Sequence, residues 1–432
     1  LLKFCGSILA LRGTLKPTMV AVGPAPILGT MNFGSEGQVK LPEAQSFLSS
    51  FVGAGAARGA LGAMVDTARI YQNAFPEGDT ETILGEIFQN LPSLRGRCHI
   101  ATKASPQWSL SKASVIEQCN TCLEKLGVDS IDLFYLHAPD IKTDLADTLE
   151  GIDILHKEGK IKEFGLSNYP AWAVVDIWHR CKNRGMVLPT VYQGSYNVLT
   201  RDMEREIVPV ARHFGLRLYM YNPLAGGLLS GRYTKMEDVT GATTGRFSTE
   251  FDQAFGKMFK AGTEIYRKRY AKEPVFKALE LLLKACGALS TESSESPQEA
   301  KLVSDKTTDV DGHRVRVVVT ESSSAPQKEA ISLAEVALRW LIHHSYLREG
   351  DGIIIGVSKQ THLVANLAAW KAGPLPDSIL EACEEAWELS RPSCEPYFRG
   401  YGAKAGGIEA FLALQDEPSK DEPEEKKRKL GN

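Results

Sequence analysis

Three short runs between residues 65 and 137 decide the fold, and each of them ends in ionisable side chains. In chain order they are Val65-Asp66-Thr67-Ala68-Arg69-Ile70-Tyr71, Ile100-Ala101-Thr102-Lys103 and Leu133-Phe134-Tyr135-Leu136-His137. Each run is rich in β-branched or aromatic residues and is followed by a helical pattern, which predicts three successive buried parallel strands. Because neighbouring parallel strands end at the same rim of a sheet, we expect the side chains at these three ends to share one site.

The residues at these ends are suited to giving a proton to a carbonyl oxygen. A free tyrosine has a pKa of about 10 and is a slow acid at neutral pH, so we expect the ammonium of Lys103 to bring the pKa of Tyr71 closer to neutral. Asp66 would keep the lysine protonated, and a neutral His137 would orient and polarise the carbonyl. Taken alone, Asp66 is also explained as a helix or turn cap. The hypothesis therefore depends on the set of four.

Composition excludes several classes of partner. The chain of 432 residues has a net charge of −3, with 43% hydrophobic and 24% charged residues. This balance gives no electrostatic reason to expect nucleic acid or membrane partners, and no apolar run reaches the length of about 18 residues that a membrane span needs. The eight cysteines are scattered, and the one close pair, Cys119 and Cys122, falls in a predicted helix, which favours buried thiols over a metal site. We expect a reducing, cytoplasmic location.

Strand and helix patterns alternate along most of the chain. The predicted strands span residues 26–34, 62–66, 98–103, 131–137, 161–167, 190–193, 216–221 and 352–356. The predicted helices span residues 42–59, 79–89, 111–126, 145–158, 171–184, 202–214, 332–344 and 361–370, the last of them closing the fold. Eight such units favour a (β/α)₈ TIM barrel over a doubly wound sheet, since no Gly-x-Gly-x-x-Gly turn follows the first strand.

Several segments lie outside this alternation. We predict an N-terminal extension at 1–19, which faintly resembles a targeting presequence, a barrel domain at 20–414 and a disordered charged tail at 415–432. Within the barrel domain, 231–259 has the pattern of an irregular loop and 263–285 that of one helix. The segment 289–326, before the seventh helix, is a low-complexity insertion that is either flexible or a hairpin, and either a spacer or a partner site.

The motifs together resemble the aldo-keto reductases over residues 28–399, and in particular the aflatoxin-aldehyde and succinic-semialdehyde reductase branch. The segments that carry this resemblance are 66–71, 101–103, 135–140, 165–169, 221–229 and 266–270. The resemblance implies a barrel that binds NADPH without a separate dinucleotide-binding domain and transfers hydride to an aldehyde or ketone. Because members of the branch are often dimers, it also implies a possible homodimer.

The resemblance also implies roles for individual residues. Asp66, Tyr71, Lys103 and His137 match the catalytic four, with Tyr71 as the proton donor. The positions that match cofactor contacts are Thr30, Met31, Asp66, Ser167, Asn168, Gln193, Tyr221, Asn222, Pro223, Leu224, Ala225, Gly226, Arg232, Arg246, Gly356, Ser358, His362 and Asn366. The positions that match substrate contacts are Tyr71, His137 and Arg399.

Residue chemistry agrees with the cofactor assignments. Asn168 and Gln193 offer amide donors and acceptors for a carboxamide, and the ring of Tyr221 suits stacking against nicotinamide. Ser167 and Asn168 are also explained as a cap for the helix that follows. Lys359, together with the free N–H groups of the last helix, would favour the 2′-phosphate of NADPH.

Two functions from different classes remain open. The leading hypothesis is NADPH-dependent reduction of aldehydes, including dialdehydes or carboxylate-bearing aldehydes such as succinic semialdehyde. In that case Arg399, with Arg267 or Arg269, would bind the anionic end. The alternative is a redox-sensing or regulatory barrel that binds the cofactor with little turnover. A barrel hydrolase is disfavoured, because paired catalytic carboxylates or a metal-ligand cluster are missing from the strand ends.

Overall fold

All eight predicted strands are present, and together they form a closed barrel. The computed structural model describes residues 23–34, 38–54, 63–71, 80–248, 262–287, 302–310, 313–320 and 331–399. The barrel strands are β1 (Ala25–Gly29), β2 (Ala63–Asp66), β3 (Cys98–Ala104), β4 (Ile131–Leu136), β5 (Ile161–Ser167), β6 (Pro189–Ser195), β7 (Arg217–Tyr221) and β10 (Gly352–Gly356). All neighbours are parallel, and their order is β1-β10-β7-β6-β5-β4-β3-β2. This confirms the predicted (β/α)₈ barrel.

Helices surround the strands. They are α1 (Leu41–Gly53), α2 (Thr80–Asn90), α3 (Pro92–Arg95), α4 (Lys112–Leu126), α5 (Leu145–Lys157), α6 (Ala171–Arg184), α7 (Ile207–Phe214), α8 (Met236–Thr240), α9 (Gly262–Tyr270), α10 (Glu273–Ala285), α11 (Leu333–His343), α12 (Gln360–Ala368) and α13 (Asp377–Ser390). Local sequence sets their ends: the Ser111 hydroxyl accepts from the Ser114 N–H before α4, and Gly127 ends that helix with a φ of 63°. None of the helices in the described part of the chain is long and apolar enough to span a bilayer.

Alternation along the strands divides the core into two parts. One set of side chains fills the barrel interior: Ile27, Met64, Ala101, Leu133, Tyr135, Val191, Tyr219 and Ile354. The other set packs outward against the helices. Asp66 is opposite Ala101 and Lys103 is opposite Tyr135 in the register. The strands therefore carry Asp66 and Lys103 inward, above the apolar interior layer.

Four expectations about the helices and their connections differ from the structure. The predicted helix 263–285 is two helices, α9 and α10, because Pro274 lies in the first turn of α10, where its missing N–H costs no hydrogen bond. The helix predicted at 361–370 does not close the fold, because α13 follows it and packs against α10. In addition, the predicted helix 202–214 begins with a separate 3₁₀ turn at Asp202–Arg205, and α8 interrupts the loop predicted at 231–259.

The insertion contains a two-stranded antiparallel sheet, one of the two forms considered for it. Its strands are β8 (Leu302–Val310) and β9 (His313–Thr320). β8 was not predicted because its polar sequence lacks a strand pattern. Several predicted segments lie outside the described residues: the extension 1–19, residues 55–59 of the first predicted helix, 62 of the second strand, 79 of the second helix, 249–259 of the loop, 289–301, 311–312 and 321–326 of the insertion, and the tail 415–432.

The close cysteine pair has the predicted structural role. Cys119 and Cys122 are free thiols on α4, and both are buried. Burial raises the pKa of Cys119 to about 12 and raises that of Cys122 well above its usual value. Both sulfurs therefore stay protonated and act as small core side chains.

A glycine controls how closely α2 approaches α4. A methyl group at Gly85 would overlap the backbone carbonyl oxygen of Lys125. We expect Gly85→Ala to lower the free energy of unfolding by about 1–3 kcal/mol, although alanine is the better helix former. Gly53→Ala is the control, because nothing lies within 4 Å of the added methyl group. Urea unfolding measures both, and a Gly85→Ala protein as stable as the parent would contradict this packing.

Candidate active site

A buried ion pair lies at the mouth of the barrel. The Lys103 ammonium donates to Asp66 Oδ1 over 2.6 Å and to the Thr67 carbonyl over 2.6 Å. The side chains of Lys103 and Asp66 are 0% and 4% exposed. Burial lowers the pKa of Lys103, and Asp66 opposes that effect without fully cancelling it. The two strand ends thus hold opposite charges together away from water.

Tyr71 and His137 lie beside this ion pair. The Lys103 ammonium lies 5.2 Å from the centroid of the Tyr71 ring, and the Tyr71 and His137 rings meet edge to face with centroids 5.9 Å apart. The backbone of Tyr71 is also fixed, because its N–H donates to the Ala68 carbonyl and its carbonyl accepts from Thr80. The structure therefore brings together all four residues predicted from the three strand ends.

The expected lowering of the Tyr71 pKa is not found. Although part of the side chain is exposed, desolvation is the largest effect on it and raises the pKa well above 10.0, and the charge of Asp66 raises it further. The expectation was wrong because desolvation of the phenol is the dominant effect, and the charge of Asp66, which pairs directly with Lys103, acts in the same direction. For His137, burial and the charges of Lys103 and Arg399 hold the pKa well below 6.5. The imidazole is therefore neutral at neutral pH, as expected.

The three residues predicted to hold a carboxamide lie at neighbouring strand ends. Asn168 has a φ of 63°, and its amide nitrogen donates to the His137 carbonyl over 2.8 Å and to Ser167 Oγ over 2.9 Å. Its Oδ1 accepts from the Tyr221 hydroxyl over 2.6 Å. Gln193 donates from Nε2 to Asp66 Oδ2 over 2.7 Å. These bonds leave acceptor capacity on Asn168 Oδ1 and a donor on the Ser167 hydroxyl for a ligand.

Two arginines converge on the Tyr221 hydroxyl. Arg399 contacts that oxygen over 3.4 Å, and its own backbone N–H donates to the Asn168 carbonyl. Burial alone would raise the pKa of Tyr221, but the charges and hydrogen bonds of Arg399 and Arg269 outweigh it and lower the pKa. Of the two alternatives from the sequence, Arg269 thus reaches this oxygen, while Arg267 bonds to the carbonyls of Phe247 and Thr240.

The loop after β7 turns sharply beside the site. Asn222 and Ala225 have φ values of 59° and 50°, and Gly226 and Gly227 follow with 70° and 100°. This segment contains the predicted cofactor contacts Asn222, Pro223, Leu224, Ala225 and Gly226. Added bulk at Gly226 would meet the Tyr266 ring 2.7 Å away, which is why glycine is needed there.

The two predicted arginines of the following segment have different surroundings. Arg246 donates to Asn32 Oδ1 over 2.7 Å, and Asn32 donates to the Val357 carbonyl over 3.2 Å. Arg246 therefore ties this segment to the loops after β1 and β10. Arg232 is exposed and bonds to Thr244 within its own segment.

The remaining predicted cofactor positions lie after β1, at the end of β10 and on α12. Thr30 donates from both its N–H and its hydroxyl to the Asp66 carbonyl, and Met31 follows it. Gly356 ends β10 and is exposed, and Ser358 lies just before α12. His362 and Asn366 are on α12, Asn366 being buried. Burial and then the charge of Lys359 lower the pKa of His362, so this imidazole is also neutral.

Sequence reasoning missed two contributors to the site. Asn32 connects Arg246 to Val357, and the backbone carbonyl of Thr67 supports the Lys103 ammonium. Asn32 follows the first strand in a glycine-flanked loop, which is a weak signal for such a role. A backbone acceptor such as Thr67 has no sequence signal.

Comparison with known proteins agrees with this geometry. A model of the Aldo/keto reductase family matches residues 27–388. Human "Aflatoxin B1 aldehyde reductase member 2" is 40% identical over 381 residues, which are 87% of this chain and 89% of the relative. Human "Aldo-keto reductase family 7 member A3" is 39% identical over 381 residues, covering 87% and 97%. The rat "Aflatoxin B1 aldehyde reductase member 2" is 39% identical over 382 residues, covering 87% and 88%. The chain therefore belongs to the aldo/keto reductase family, whose members are oxidoreductases acting on small carbonyl compounds.

Proposed function

We propose that this protein reduces aldehydes to alcohols with NADPH, using Tyr71 as the proton donor. The observation that carries this proposal is the buried Asp66 and Lys103 pair beside Tyr71 and His137. Burying two charges costs several kcal/mol per ion, so such a pair is a poor way to gain stability. A buried charged pair beside a phenol and a neutral imidazole fits proton transfer to oxygen.

The hydrogen-bonding capacity of the rim fits the nicotinamide end of NADPH. The Ser167 hydroxyl can donate to a carboxamide oxygen, and the Asn168 and Gln193 side-chain oxygens can accept from its N–H groups. Tyr221 is partly exposed, and its ring offers a flat surface for stacking. These are the contacts that a nicotinamide needs to be held in one orientation.

The part of the protein that we expect to hold the adenosine end of NADPH has features that favour an anion. The N-cap residue of α12 is Lys359, and its side chain makes no capping hydrogen bond to the first turn. The free N–H groups of a helix N-terminus and a nearby ammonium both favour a phosphate. This supports NADPH over NADH, with Ser358, His362 and Asn366 as further contacts.

The residues of the chain divide the chemistry between them, while bound NADPH would supply the hydride. Tyr71 would give its proton to the substrate oxygen as negative charge develops there. A raised pKa keeps the phenol protonated at neutral pH, and an alkoxide is far more basic than a phenolate, so the transfer remains favourable. Neutral His137 would donate a hydrogen bond to the same oxygen, and Lys103 would stabilise the phenolate left behind.

The arginines suggest a class of aldehyde. Arg269 and Arg399 approach one phenolic oxygen, so the same two groups can bind a carboxylate or a second carbonyl of a dialdehyde. The names of the human and rat relatives, aflatoxin B1 aldehyde reductases, also point to aldehydes. Succinic semialdehyde is our test substrate for the carboxylate-bearing class. A cytoplasmic location and a homodimer stay predictions from the sequence.

Tyr71→Phe tests the proton donor. Because phenylalanine keeps the ring but has no proton to give, we expect kcat to fall at least about 100-fold while NADPH affinity is retained. Aldehyde-dependent NADPH oxidation measures kcat, and quenching of protein fluorescence measures the Kd for NADPH. A Tyr71→Phe enzyme with the parent kcat would exclude Tyr71 as the acid, and a parent that binds NADPH without oxidising it would favour a sensor.

Arg269→Ala and Arg399→Ala test the anionic site. Each charged hydrogen bond contributes about 1.5–3 kcal/mol, so we expect the KM for succinic semialdehyde to rise about tenfold or more. The KM for butanal, which has no carboxylate, should stay close to that of the parent. Arg267→Ala is the matched control, since Arg267 bonds to backbone carbonyls instead. Equal effects on both aldehydes would contradict a carboxylate site.

The pH dependence tests the state of His137. Because its pKa lies well below 6.5, we expect the acid limb of kcat/KM for butanal to lie below pH 6.5. Arg399→Ala removes one positive charge that disfavours the imidazolium, so it should move that limb to higher pH. An acid limb above pH 7 in the parent enzyme, or a shift to lower pH in the variant, would contradict a neutral imidazole.

A further inference from the structure

The second oxygen of the Asp66 carboxylate has a partner from across the barrel. Gln193 donates from Nε2 to Asp66 Oδ2 over 2.7 Å, while Lys103 binds Oδ1 over 2.6 Å. β6 and β2 are four positions apart in the ring of eight strands, so this bond joins opposite walls. Gln193 is 3% exposed, so water does not compete for the contact.

The bond also fixes which way the Gln193 amide faces. A carboxylate only accepts hydrogen bonds, so the nitrogen end of the amide must point toward Asp66. Tyr135 also lies within hydrogen-bonding reach of this amide, and the oxygen end can still accept from a ligand at the rim. One side chain can therefore touch both the ion pair and a bound carboxamide.

We propose that Gln193 is a positioning residue for proton transfer, because its amide holds the Asp66 carboxylate in the orientation that pairs with Lys103. This inference rests on the proposed function and adds to the role of Gln193 in holding a carboxamide. Without the amide, Asp66 Oδ2 is buried and unpaired, which is costly for a charged oxygen. The carboxylate is then free to turn away from Lys103, and its field on the ammonium weakens.

Loss of the Gln193 hydrogen bond would change the pKa of Lys103 in a definite direction. The ionisable groups that face its ammonium are Asp66, Glu81, Tyr71, Tyr135 and Tyr221, with His137 also within reach of its charge. Burial already lowers the pKa of Lys103, and Asp66 is the strongest opposing influence. Weakening that influence lowers the pKa further. The ammonium that stabilises the Tyr71 phenolate then loses its proton at a lower pH than in the parent enzyme.

Gln193→Met tests this in the active enzyme, since methionine matches the length of glutamine without its hydrogen bonds. At saturating NADPH and butanal, we expect the alkaline limb of kcat to move to lower pH by about one unit or more. Gln193→Glu should recover kcat toward acid pH, where a protonated carboxyl can again donate to Asp66. Ser167→Ala is the control: it should weaken NADPH binding and leave the alkaline limb of kcat in place, because Ser167 contacts Asn168 and not Asp66.

A second measurement needs no turnover. Unfolding of the cofactor-free full chain in urea is compared for the parent, Gln193→Met, Asp66→Asn and the double variant. If Gln193 acts through Asp66, the double variant loses less stability than the sum of the two single losses. Ser167→Ala combined with Asp66→Asn should be additive.

The outcomes separate this inference from the function on which it rests. A Gln193→Met enzyme that binds NADPH weakly but keeps the parent alkaline limb overturns the positioning role. Additive losses for Gln193→Met and Asp66→Asn overturn it as well. A parent protein that oxidises no NADPH with any aldehyde contradicts the proposed function alone, and the unfolding cycle then still decides the role of Gln193.

Discussion

The buried ion pair between Asp66 and Lys103 is the constraint on which the rest of the site depends. Its two side chains are nearly unexposed and only 2.6 Å apart. Removing either partner would leave an uncompensated charge in the core, at a cost of about 3–5 kcal/mol. The surrounding structure therefore has to keep both charges in place, through the Thr67 carbonyl on one side and Gln193 on the other.

The barrel makes this arrangement possible because its closed sheet sends every strand end to the same mouth. Residues from opposite walls can meet there, as Asp66 and Gln193 do, although 127 residues separate them in the chain. The apolar layer below keeps water from the pair, and Tyr135 contributes both to that layer and to the face beside the ammonium. The packed interior of the barrel therefore stabilises the fold, while the polar contacts of the site lie at the rim.

The sequence predicted the parts of the site that follow from strand order. The ends of β2, β3 and β4 had to meet, since short buried strands with helical connections permit few other arrangements. Side-chain direction was harder to predict: nothing in the sequence showed that Arg269, and not Arg267, would reach Tyr221. The direction of the Tyr71 pKa was missed because desolvation is the largest effect on it, and desolvation depends on how the folded chain packs around the phenol. By contrast, α13 could have been found, since its buried residues recur at helical spacing.

The most direct test of the account is a crystal structure of the full chain with NADP⁺. We expect the carboxamide of the nicotinamide to lie against Ser167, Asn168 and Gln193. The nicotinamide ring should stack on Tyr221, and the carbon that carries the hydride should face Tyr71 and His137. A nicotinamide bound away from the mouth of the barrel, or a Tyr71 hydroxyl that faces away from both the ring and Lys103, would contradict it.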